Sequence, residues 1–173
     1  MKKIFYILVF CLGYTACNNL DNNNKDTIKN GNVSTTISTD TSKLGQLLDI
    51  KTYKPTSVKF KYVFTDNSGQ NERLTVPRPS DSYLEAILLF DTLTFKKLEN
   101  AKAMNLPNFD KQDFNFDWLD KEVSNELLSY PDLNYHGHCT CISPNCDVTL
   151  FNVGQRGGAW FLKNKVLIKK SSN

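Results

Sequence analysis

Histidine is nearly absent from the 173 residues, with only His136 and His138 present, so a Ser-His or Cys-His nucleophile would have to recruit one of those two. Neither a G-x-S-x-G elbow nor another nucleophile motif accompanies them, which argues against nucleophilic catalysis. An excess of one charge is lacking too. Lys and Arg number 21 against 18 Asp and Glu, a net charge of +3 that shrinks further if Lys2 and Lys3 leave with a leader, and this is no footprint for nucleic acid. Glycines opening a helix, as a phosphate-binding loop requires, are missing. Gly154, Gly157 and Gly158 fall between predicted strands and read as hairpin residues supplying positive φ. Acidic residues are scattered, and no carboxylate pair stands out for acid/base work. No internal repeat is visible. What remains is 40% apolar and 23% charged, with a mean hydropathy of -0.41, the composition of one globular domain rather than a membrane bundle.

The single long apolar run is at the start. Met1-Lys2-Lys3 is followed by apolar sequence from Ile4 to Tyr14 and then by Thr15-Ala16-Cys17. A run of that length is about half of the roughly 20 residues a membrane-crossing helix needs, so residues 1–16 read as a signal peptide. Tyr14-Thr15-Ala16-Cys17 resembles the lipobox of bacterial lipoproteins, with Tyr14 where the pattern places an aliphatic residue. The resemblance implies that Cys17 carries a lipid and becomes the first residue of the mature chain, anchoring it in the cell envelope, at the outer membrane on its periplasmic or surface side. Behind it, Asn18 to Ser42 is rich in Asn, Thr and Ser and poor in apolar residues, which predicts a flexible tether over 17–42 with a reach of roughly 25–30 Å. The Asn-rich spacer is similar to those of Bacteroidota lipoproteins.

A single domain is expected over 43–173. Leu44, Leu47 and Leu48 predict one or two helical turns. Val58, Phe60, Tyr62 and Phe64 alternate with Lys59, Lys61 and Val63 as in a half-buried strand, and Arg73 to Val76 reads as its hairpin partner across Asp66-Asn67-Ser68-Gly69. Ser82 and Glu85 form a capping-box pattern ahead of Leu84, Ile87, Leu88, Phe95 and Leu98, which predicts a helix from near Asp81. Trp118, Leu119, Glu122, Val123 and Leu127 predict a second amphipathic helix ending near Pro131. Val148–Val153, Ala159–Leu162 and Val166–Lys169 predict a C-terminal antiparallel meander. The expected class is α+β: an antiparallel sheet, from an N-terminal hairpin and a C-terminal three-stranded meander, covered on one face by two amphipathic helices.

Two segments imitate metal sites. Asp113, Asn115 and Asp117 match the first ligands of an EF-hand loop, but Trp118 and Ser124 occupy the positions that need Gly and Glu. Asn115 or Asp117 reads better as a helix cap, with Phe114, Phe116 and Trp118 anchoring the helix entry to the core. The second segment is His136-Gly137-His138-Cys139-Thr140-Cys141-Ile142-Ser143-Pro144-Asn145-Cys146. Its imidazoles and thiols could hold zinc or Cu(I). In an exported chain the competing readings are a Cys141–Cys146 or Cys139–Cys146 disulfide with no cofactor, and unpaired thiols with no special role. Two functions follow as expectations. One is a non-enzymatic lipoprotein that binds a protein partner, such as a toxin neutralised by an immunity lipoprotein. The other is a metal-handling lipoprotein using His136, His138, Cys139, Cys141 and Cys146.

Overall fold

Alternating side chains from Ser57 onward build the strand around which the sheet is laid out. The computed structural model describes residues 26–69, 79–101, 109–130, 146–147, 150–153 and 156–172. Their strands are β1 (Asp26–Asn30), β2 (Val33–Ser38), β3 (Ser57–Thr65), β4 (Asp81–Leu89), β5 (Cys146–Asp147), β6 (Gly157–Leu162) and β7 (Lys165–Ser171). They form one seven-stranded sheet in the order β1-β2-β3-β4-β7-β6-β5, antiparallel at every pairing. The helices are α1 (Thr41–Leu47), α2 (Thr92–Ala101) and α3 (Lys121–Ser129). The fold is α+β, with an N-terminal hairpin β1-β2 and a C-terminal meander β5-β6-β7.

At β4, β7 and β6 the sheet is buried on both faces. On one, Val58, Phe60, Leu84, Ala86, Leu88, Val166 and Ile168 pack with Leu44 and Leu48 around α1 and with Phe95 and Leu98 of α2. On the other, Ile87, Trp160, Leu162 and Leu167 pack with Phe114 and Phe116 and with Val123 and Leu127 of α3. The expectation of helices on one face only is thereby corrected. A strand covered on both sides carries apolar residues at consecutive positions, as β6 does with every residue buried.

This two-sided burial also explains the helix misplaced at Asp81. In β4, Leu84, Ala86 and Leu88 serve one core while Ile87 serves the other. The resulting Leu84, Ile87, Leu88 spacing imitates a helical stripe. The helix begins instead at Thr92, where the Asp91 carboxylate accepts from the Leu93 and Thr94 N–H groups at 3.0 and 2.9 Å. Asp40 caps α1 in the same way, accepting from Ser42 and Lys43. The cap position of α3 is Asp120 rather than Asn115 or Asp117, and Asn115 Oδ1 accepts from Ser124 Oγ at 2.6 Å.

At the N-terminus the sheet reaches into the predicted tether. Residues 26–38 form β1 and β2, in unbroken register with each other and, through β2, with β3. Their Thr and Ser residues hold by backbone pairing more than by burial, which composition does not register. The predicted partner strand Arg73–Val76 lies outside the described residues, and β3 pairs with β2 and β4. Of the strand expected over Val148–Val153, residues 148–149 lie outside the described residues and Leu150–Asn152 form a 3-10 turn, with Phe151 and Asn152 at φ 62 and 53.

Gly157 lies in β6 rather than in a turn, without positive φ, and answers a close approach. A Cβ there would stand 2.6 Å from the Lys169 carbonyl oxygen and 2.8 Å from that of Val153, both backbone atoms. Gly157→Ala is expected to lower stability by about 1–3 kcal/mol, read as a lowered denaturation midpoint.

Candidate functional site

Of the residues singled out by sequence, Cys17, His136, His138, Cys139 and Cys141 lie outside the described residues. Cys146 is described only as backbone, in β5 opposite Trp160. Among the described residues no group of three or more His, Cys, Asp and Glu side chains is placed to hold a metal ion.

The polar side chains that do converge belong to the face of the sheet covered by α3. Cross-strand register sets Lys61 of β3 beside Glu85 of β4, and Glu85 beside Lys169 of β7. Glu85 is only 8% exposed. Its Oε1 accepts from the Tyr83 hydroxyl at 3.0 Å and its Oε2 from the Trp118 indole N–H at 2.5 Å. Lys61 Nζ lies 4.0 Å from that Oε2 and 3.3 Å from Asp117, and Lys169 Nζ lies 2.7 Å from Asp113. A buried carboxylate is tolerable only when donors and cations surround it, and here both oxygens are engaged. Burial, reinforced by the Glu85 charge, raises the Tyr83 pKa, so the phenol stays protonated and keeps donating.

Trp118 is thereby fixed at the border of the covered region. Its ring stacks on Phe116 with centroids 5.7 Å apart, and Lys59 Nζ sits 5.3 Å from its centroid. Beyond it the same face continues across β3, β2 and β1. One row there is Val63, Thr35 and Ile28, and Ile37 stands beside Lys61 in the next. Ile28 is 66% exposed and Ile37 38%. The outer strands thus present an apolar strip, bordered by a rigidly held tryptophan, two lysines and Asp117.

Sequence reading missed this cluster. Glu85 reads as a capping residue and Trp118 as a helix anchor, although Lys59 and Lys61 on alternate positions of a clear strand mark a face that must pair or be wet. A second feature, a hollow of about 490 Å³ at the tips of β1 to β3, is lined by Lys29, Asn32, Ser34, Phe64, Asp66 and Ser68. Hydrogen bonds from Ser68 lower the Asp66 pKa, which is turn chemistry rather than a site.

Comparison with protein-family models, curated proteins and solved structures found no match. Nor is any helix among the described residues long and apolar enough to cross a membrane.

Proposed function

We propose that the chain is an envelope lipoprotein, lipidated at Cys17, whose domain binds a protein partner without catalysis. The observation that carries the binding role is the half-buried Trp118, clamped to Glu85 at the border of a strip made of the exposed Ile28 and Ile37 and the half-buried Thr35 and Val63. Aromatic side chains held rigid beside apolar surface lose little entropy on binding and carry disproportionate shares of interface energy. Lys59, Lys61 and Asp117 supply the polar rim. A toxin held by an immunity-type lipoprotein is a partner class with such needs. The anchor draws its support from the leader and Thr15-Ala16-Cys17. With β1 starting at Asp26, only Asn18 to Lys25 would separate the lipid from the sheet, a span of at most about 25–30 Å, so the partner would be met close to the membrane.

Two variants of the full chain test the reading. Cys17→Ala is expected to abolish acyl labelling. Trp118→Ala is expected to weaken binding by about 2 kcal/mol or more while the domain stays folded, read as loss of a partner cross-linked to the wild-type chain in intact envelopes. Labelled lipid on the first variant, or an unchanged set of cross-linked partners on the second, overturns the corresponding half. Metal handling has its support in the density of ligands between His136 and Cys146, and metal analysis with a thiol count on the purified chain decides it.

A further inference from the structure

Among the described residues β1 is an edge strand of the sheet and pairs with β2 alone. Its register runs unbroken from Asp26 opposite Ile37 to Asn30 opposite Val33, and its sequence, DTIKN, contains no proline. Of the devices that blunt an edge, β1 lacks a bulge and a proline; it is short and carries one lysine, Lys29, which a partner strand must accommodate. Gly31-Asn32 closes the β1-β2 hairpin as a two-residue turn, with Gly31 at φ 61 in the first central position that a type II′ turn requires. In a hairpin of this kind the flanking pair, Asn30 and Val33, exchanges both backbone hydrogen bonds. Bonding then alternates along the strand: Asp26, Ile28 and Asn30 turn their N–H and C=O groups toward β2, and Thr27 and Lys29 turn theirs to the open edge.

We propose that two copies of this chain pair edge to edge through β1, antiparallel, about a two-fold axis at Ile28. In that register the outward groups of Thr27 meet those of Lys29 in the second copy, and the reverse, giving about four backbone hydrogen bonds. Ile28 faces Ile28 as the non-hydrogen-bonded pair, the closer of the two pair types, with Cα atoms about 4.5 Å apart. The register is selected by its alternatives. An axis at Lys29 would set lysine directly against lysine, and one at Thr27 would set Asp26 against Ile28.

A second copy is favoured over a foreign strand by this self-complementarity and by continuity of surface. Ile28, an exposed apolar side chain with 66% of its surface in water, becomes covered by its own symmetry mate. Because Ile28 stands in line with Thr35 and Val63, the pairing joins the apolar strips of two copies into one surface. The inference does not require the partner reading above, since the backbone edge of β1 makes the contact and Ile28 is the one residue of the strip it uses.

The test is cysteine pairing on the purified full chain, read as the linked peptide by mass so that the native cysteines do not confuse it. Ile28→Cys is expected to form a disulfide with its own copy, because the predicted Cα separation falls within disulfide range. Lys29→Cys, which faces Thr27, is expected not to. Adding Lys29→Pro or Thr27→Pro to Ile28→Cys removes an outward N–H that β2 does not use, and is expected to abolish the link while the melting temperature is retained. A residue 28 link no more abundant than that of Lys29→Cys, or one that survives both prolines, overturns the proposal. So does a link from residue 28 to a different protein, which would assign the edge to a foreign strand. Unfolding by both proline substitutions would show that Thr27 and Lys29 bond inward, and would equally overturn it.

Discussion

Trp160→Ala is expected to destabilise the domain by about 3–5 kcal/mol, a large part of the stability of a chain this size. The side chain is 1% exposed and lies at the centre of the core beneath α3, with its ring 5.6 Å from that of Phe114. Its removal would leave a cavity bounded by rigid neighbours, on a strand, β6, that is buried along its whole length. Trp160→Phe separates the ring from its nitrogen. Among the described residues the indole N–H has no hydrogen-bond partner, so losing it relieves a desolvation cost while most of the contact area remains. That variant should cost no more than about 2 kcal/mol. Urea denaturation followed by circular dichroism measures both, and equal losses would mean that the nitrogen has a partner and the ring's packing matters less than its hydrogen bond.

Glu85→Ala carries the second large effect. It strips the acceptor from the Tyr83 hydroxyl and the Trp118 indole at once and leaves Lys61 with Asp117 alone. Two half-buried donors without acceptors, at about 1–3 kcal/mol each before allowance for their exposure to water, give an expected loss of about 2–4 kcal/mol. Trp118 should also lose its fixed orientation, visible as a change in its fluorescence. Tyr83 adds a pH signature to the same cluster. Its pKa is raised in the folded state by burial and by the Glu85 charge. The folded domain therefore holds the phenolic proton more tightly than the unfolded chain does. Stability from this group is complete below about pH 10, the ordinary tyrosine value, and declines as pH rises from there toward the raised pKa. Tyr83→Phe should remove that part of the alkaline decline. Superimposable alkaline unfolding curves for Tyr83→Phe and wild type would show that Tyr83 takes no part in it.

Several elements were legible locally because each has a wet side. β3 alternates since Val58 and Phe60 enter a core while Lys59 and Lys61 reach the half-covered face. α3 shows Val123 and Leu127 against otherwise polar neighbours, and α1 shows Leu44 within its first turns. The C-terminal pair β6-β7 was readable from its apolar runs and the turn at Asn164, whose φ of 56 suits asparagine. Where no side is wet the pattern misleads unless turn residues bound a short apolar run, as they do at β6, and where both sides are wet it misleads as well. β4 serves two cores and imitates a helix. β1 and β2 carry Thr and Ser and imitate a tether, although Thr35 and Thr36 suit a strand once β3 is there to pair with.

What the sequence by itself determined is therefore the α+β class, the position of β3, α1, α3 and the final hairpin, and the absence of any recognisable catalytic motif. Tertiary structure alone decided where the sheet begins, that β4, β7 and β6 are covered on both faces, and that Glu85 sits in a strand holding Trp118 and Tyr83 rather than at a helix cap. The physical reason is range. A periodic pattern reports whether a residue faces water or protein along its own segment, whereas the neighbours of Glu85 come from β3, β7 and the stretch before α3, and only the cross-strand register of Lys61, Glu85 and Lys169 brings them together.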